Sequence, residues 1–212
     1  MQPMEFVEYF RKEGASAILR TSLEDAVAPA MEAAVRGGFR IVEFTLNTPN
    51  ALDHIERFSR QEELVVGAGT VLTVDEARAA VRAGASFLVS PVVDEQIIEE
   101  AGAAGVAMMP GTHTPTEMLR AHRAGAHLQK LFPAPGSGPE FVRACLGPLP
   151  FLRIVPTSGV NGLNVRQFLE AGAWAVGFVA SLFVADDLED GRFDRIEQRA
   201  SELLARVRKV RS

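Results

Sequence analysis

The chain has 212 residues, 47% hydrophobic and 23% charged, enough apolar material for one packed core and too much for a disordered chain. With 22 Lys and Arg against 27 Asp and Glu it carries a net charge of −5, which offers no broad basic surface to nucleic acid or anionic lipid. A lone cysteine, Cys145, leaves no internal disulfide, no apolar run reaches the roughly 20 residues of a membrane span, and the opening MQPMEFVEYFRKEG lacks the order of a signal peptide, so a cytoplasmic protein is predicted.

Met4 to Lys12 has helical spacing and no strand of its own. SAILR, ending at Arg20, predicts the first strand, and Ser22 with Asp25 predicts the N-cap of the helix after it. RGGFRIVEFTL from Arg36 then reads as helix end, tight turn and second strand, followed by LVVGAG from Leu64 to Gly69 and a capping pair, Thr73 with Glu76. The helix–glycine–strand pattern recurs in RAGASFLVSP from Arg82, AAGVAMMPG from Ala103, RAGAHLQKLFP from Arg123 and EAGAWAVGFVA from Glu170. Thr114, Pro115 and Glu117 open one helix between these units, LRIVPTSG from Leu152 supplies one further strand, and Phe193 to Lys209 is a helical tail.

Gly38, Gly84, Gly105, Gly125 and Gly172 fall where a helix ends in the left-handed conformation. The runs behind them are apolar nearly throughout, the mark of parallel strands covered on both faces. Eight strands at near-equal spacing predict a (β/α)₈ TIM barrel with an extra N-terminal helix, residues 1–212 forming one domain. An open doubly wound sheet would use the same units but would normally carry fewer strands and a glycine-rich first turn.

In such a barrel the site lies at the carboxyl ends of the strands, which here carry Arg20, Glu43, Thr45, Asn47, Thr70, Ser90, Lys130, Thr157 and Ser158. Arg40 and Arg153 begin their strands and are expected to be structural. The 22 cations comprise 19 Arg and three Lys, and only Lys130 lies away from the chain ends. It shares a strand side with Leu128 and Phe132. Partial burial there would lower its pKa and free an amine to attack a carbonyl; the competing placement sends the amine out of the barrel mouth to water.

Glu43, the only carboxylate inside any strand run, suits either a structural ion pair with Arg20 or a general acid and base beside Lys130. The hydroxyls of Thr70, Thr157 and Ser158 suit a small substrate's carboxylate or hydroxyl, or simply a helix cap. Arg20 suits an anionic group or an ion pair. His54, His113, His122 and His127 show no zinc-helix spacing, so no metal is predicted, and among them His113 follows a strand end where it can face substrate.

EFTLNT around Glu43, VGAGTVL around Thr70, FLVSP to Pro91, MPGTHTPTE, KLFPA around Lys130 and PTSGV around Thr157 stand in one order over nearly the whole chain. That order resembles the 2-keto-3-deoxy-6-phosphogluconate (KDPG)/4-hydroxy-2-oxoglutarate (KHG) aldolases. The resemblance implies that Lys130 forms the Schiff base, that Glu43 is the general acid/base, and that Thr70, Pro91, Phe132 and Thr157 line the keto-acid pocket. It places Ser158, Gly159 and Ser181, with Arg20, around the rest of the substrate. The implied enzyme is a metal-free class I aldolase, typically a homotrimer. It cleaves a 2-keto-3-deoxy(-6-phospho) sugar acid or 4-hydroxy-2-oxoglutarate to pyruvate plus glyceraldehyde 3-phosphate, glyceraldehyde or glyoxylate. Asn47 stands where phosphogluconate-cleaving relatives often have arginine, and Val179 and Ala180 replace the glycine and serine of a phosphate cradle. On the same residues the alternative is a non-covalent (β/α)₈ isomerase or synthase for a small anionic substrate, with Lys130 an electrostatic clamp.

Overall fold

The computed structural model describes residues 1–135 and 137–211. Its strands are β1 (Ala15–Leu19), β2 (Ile41–Thr45), β3 (Val65–Gly69), β4 (Phe87–Ser90), β5 (Ala107–Thr112), β6 (Gln129–Leu131), β7 (Ile154–Pro156) and β8 (Val176–Phe178). They pair in parallel in the order β7-β6-β5-β4-β3-β2-β1-β8, and a bridge between Thr157 and Gly177 joins the two ends into a ring. The expected barrel is therefore observed, each strand ending within two residues of its predicted position.

Helices α1 (Pro3–Glu13), α2 (Glu24–Arg36), α3 (Ala51–Ser59), α4 (Val74–Arg82), α5 (Glu95–Ala103), α6 (Pro115–Arg123), α7 (Gly138–Leu146) and α8 (Val165–Glu170) are followed after β8 by α9 (Ala185–Glu189) and α10 (Phe193–Arg211). No helix among the described residues is long and apolar enough to cross a membrane. The five turn glycines have φ between 68° and 112°, the region their sequence context requires. Thr73 with Glu76 and Thr114 with Glu117 form the predicted reciprocal caps. Ser22 does not cap α2. Thr21 Oγ1 accepts the Leu23 N–H at 3.1 Å, a local turn that delays the helix to Glu24, with Leu23 at the N-cap.

Two apolar layers result. Outside the ring, strands pack under the helices, and α10 buries Ile196, Ala200, Leu203, Leu204 and Val207. Inside it, Ile41, Val65, Phe87, Ala107, Leu128 and Val155 meet Phe6, Val7 and Phe10 of α1. The Phe6 and Phe87 rings stack at 4.6 Å. Helix α1 thus plugs the amino-terminal end of the barrel. Arg40 and Arg153 lie at that end as expected, donating to the carbonyls of Val35, Phe39 and His127.

Candidate active site

Strand geometry places the reactive pair. Ile41 and Leu128 belong to the inner layer. Glu43 and Lys130, each two residues further along its strand, face the same interior one level nearer the open end. Glycines let side chains pack closely at that level. A Cβ on Gly69 would lie 2.0 Å from Glu43 Oε1, and one on Gly177 would lie 2.6 Å from Ile18 Cδ1 and 3.0 Å from Thr157. Thr112 Oγ1 donates to the Lys130 carbonyl at 2.9 Å and pins the strand that carries the amine.

Glu43 is 0% exposed and Lys130 3% exposed, so the lysine does not reach bulk water. Neither Glu43 oxygen has a hydrogen-bond partner, and no contact ion pair joins Glu43 to Arg20 among the described residues. Burial pushes the Glu43 carboxyl above its ordinary 4.5, opposed by the positive charges of Lys130 and Arg20. It pushes Lys130 below its ordinary 10.5; Glu43 opposes this, and Arg20 reinforces it. A neutral amine and a protonated carboxyl are thereby both brought toward neutral pH.

Arg20 is exposed and positively charged, so its effect on Lys130 has a definite sign. Arg20→Gln is expected to shift the pH midpoint for reaction of the Lys130 amine upward, because a neighbouring positive charge that disfavours the ammonium form is lost. The rate of reductive trapping with pyruvate across pH checks this. An unchanged or lower midpoint would contradict the assigned coupling.

The remaining candidates divide into two groups. Phe132 places its ring centroid 5.0 Å from Lys130 Nζ, and Thr157, 1% exposed, directs Oγ1 to the Val155 carbonyl at 3.4 Å. Thr70 and Pro91 are partly exposed just past the ends of β3 and β4. Pro91 packs so closely on β5 that a Cβ on Gly111 would sit 2.2 Å from its carbonyl oxygen. Arg20, Ser158, Gly159 and Ser181 instead line an open cleft of about 740 Å³ at the ends of β1, β7 and β8, together with Val179 and Ala180. Ser181 Oγ donates to the Val160 carbonyl at 2.7 Å, joining the two loops. Thr70 and Ser158 hold φ of 57° and 60°, left-handed for residues with side chains, at about 1–2 kcal/mol each.

His113 is exposed, its backbone N–H donating to Glu117. His127 Nδ1 accepts the Met108 N–H, a structural contact. Among the described residues no group of three or more His, Cys, Asp or Glu is placed to hold a metal ion. The structure adds Gly69, Thr112 and Thr48 to the residues read from the sequence; Thr48 Oγ1 lies 3.0 Å from that of the candidate Thr45, under the Leu19 carbonyl. Gly69 carried a signal, since glycine inside a strand marks a close approach. The bonds from Thr45 to the Leu19 carbonyl and from Thr112 to the Lys130 carbonyl had none, because they join different strands.

The family model for KDPG and KHG aldolase matches residues 8–199. The chain is 34% identical over 194 residues to the KHG/KDPG aldolase of Escherichia coli K12, covering 87% of each. It is 33% identical over 197 residues to the 2-dehydro-3-deoxy-phosphogluconate aldolase of Pseudomonas aeruginosa, covering 91% of this chain and 90% of that one. A Legionella pneumophila KDPG aldolase structure, with pyruvate captured as a covalent carbinolamine, matches 96% of this chain and 98% of its own at 26% identity and a TM-score of 0.84. A β/α ring with a buried lysine and carboxyl, matched over most of its length by these enzymes, places the chain in the KDPG and KHG aldolase family, as a carbon–carbon lyase.

Proposed function

We propose that the protein is a class I aldolase that cleaves a 2-keto-3-deoxy sugar acid, phosphorylated or not, or 4-hydroxy-2-oxoglutarate to pyruvate and an aldehyde through an imine on Lys130. The observation that carries this reading is the burial of Lys130 and Glu43 inside the ring, each charge acting on the other, with neither carboxyl oxygen hydrogen-bonded to protein. A buried unpaired carboxyl is costly unless it is protonated or finds a partner in the substrate.

Lys130 Nζ attacks the C2 ketone, and Glu43 gives its proton to the departing hydroxyl as water leaves. The resulting iminium is the electron sink, a task a Lewis-acid metal would otherwise perform, so the reaction is proposed to be metal-free. Glu43, now a carboxylate, takes the C4 hydroxyl proton; the C3–C4 bond breaks, the aldehyde leaves and the electron pair passes into an enamine. Glu43 returns the proton to C3. Water then adds to the iminium, Glu43 accepting its proton, and pyruvate departs. Thr70, Pro91, Phe132 and Thr157 would hold the pyruvate half, and the cleft beside Arg20 would take the aldehyde half, with Ser158, Gly159 and Ser181 on its walls.

Incubation with pyruvate and borohydride, followed by peptide mass spectrometry, should place a reduced pyruvate adduct on Lys130. Failure to trap it under conditions that label another class I aldolase would favour the non-covalent isomerase or synthase alternative. We further propose a cytoplasmic homotrimer in which residues 1–212 act as one domain. Light scattering should then give three times the 22.9 kDa chain mass.

A further inference from the structure

The β8 side of the cleft is built on a buried charge network that the reaction scheme does not use. Asp187, in α9, is 3% exposed. Its Oδ1 accepts from Arg192 Nε at 2.8 Å, with Arg195 Nη1 at 3.6 Å, and its Oδ2 accepts from Arg199 Nη2 at 2.5 Å. Arg199 uses its other terminal nitrogen to donate to the Leu182 carbonyl at 2.8 Å. One arginine of α10 therefore clamps both the loop after β8 and the short helix that follows. That loop and helix supply Val179, Ala180, Ser181, Phe183, Ala185, Leu188 and Glu189 to the cleft.

A five-residue helix has little stability of its own, so its placement depends on tertiary ties. The hydrogen bonds from Arg199 and then Arg192 hold the Asp187 carboxyl below its ordinary 3.8, so these ties persist into acid and are lost only as the pH falls through that lowered value. In the proposed scheme the pyruvate half is held elsewhere, at the ends of β3, β4, β6 and β7.

We propose that Asp187 and Arg199 are positioning residues for the aldehyde half of the substrate, fixing the β8 wall of the cleft without affecting imine chemistry at Lys130. The inference rests on the aldolase reading above. Misplacing a binding wall by about 1 Å can cost up to about 100-fold in rate, whereas a wall that pyruvate does not touch leaves its reactions alone.

Two reactions of the full-length enzyme separate the halves. Cleavage of KDPG or KHG, whichever is turned over faster, uses both; exchange of pyruvate methyl protons in deuterated water uses only the imine and its enamine. Asp187→Asn and Arg199→Gln are expected to lower kcat/KM for cleavage roughly 10- to 100-fold, largely through KM, and to leave pyruvate exchange within about twofold. Arg199→Lys, which can still reach one of the two acceptors, should recover part of the loss. Arg199→Gln leaves Asp187 paired with Arg192, so it keeps the test open if Asp187→Asn does not fold. Unchanged cleavage in the variants, or equal losses in cleavage and exchange, would overturn the positioning role. Absence of exchange in the unaltered enzyme would overturn the imine reading and this inference with it.

Discussion

Lys130→Arg is expected to abolish cleavage, lowering kcat by on the order of 10⁴-fold or more, the scale on which removal of a covalent nucleophile acts. Arginine keeps the positive charge but stays protonated, so no free amine is available for the ketone. Lys130 is 3% exposed, with its Nζ 5.0 Å from the Phe132 ring centroid, so the variant carries a buried cation whose stacking partner is already in place. Steady-state cleavage, with circular dichroism to verify folding, gives the result directly. Appreciable turnover by a folded Lys130→Arg enzyme would mean that charge alone suffices, as in the non-covalent alternative.

Gly69→Ala is the second large effect. The added methyl would fall 2.0 Å from Glu43 Oε1 and 2.8 Å from its carboxyl carbon, well inside contact distance. Glu43 is wholly buried, and Gly69 is fixed beside Thr45 in the β2–β3 register, so the carboxyl end of the glutamate is the part that must shift. Its placement relative to Lys130 is thereby changed. Loss of a placed general acid and base costs about 10²- to 10⁴-fold, and overpacking adds about 1–3 kcal/mol of destabilisation. Gly69→Ala should thus approach the kcat of Glu43→Gln, and combining the two substitutions should cost little beyond either alone. Near-normal turnover by Gly69→Ala would show that the Glu43 position seen here is not the one used in catalysis.

Much of this architecture is legible in local pattern. Gly84 and Gly125 mark helix ends because only glycine takes their φ of 100° and 99° at no cost, and Thr73 and Thr114 mark helix starts through bonds three residues long. Each signal is carried within one turn of chain. Ser22 misled because its neighbour Thr21 made the shorter local bond, and α9 went unread because five residues show no periodicity. The six ordered motifs carried the family, and single residues within them marked the reactive lysine and carboxyl.

The sequence by itself determined the eightfold β/α repeat, the side of the strand on which Lys130 sits and the isolation of one lysine among arginines, since all three depend on residue type and a period of two. Tertiary structure alone decided that Lys130 and Glu43, 87 residues apart, are buried inside one ring within reach of each other's charge, that Glu43 makes no ion pair with Arg20, and that Asp187 gathers three arginines behind the cleft. Ring closure brings β2 and β6 to face each other across the interior. The distances and the loss of solvent that set both pKa values exist only after that closure, because in the open chain water screens each group from the other.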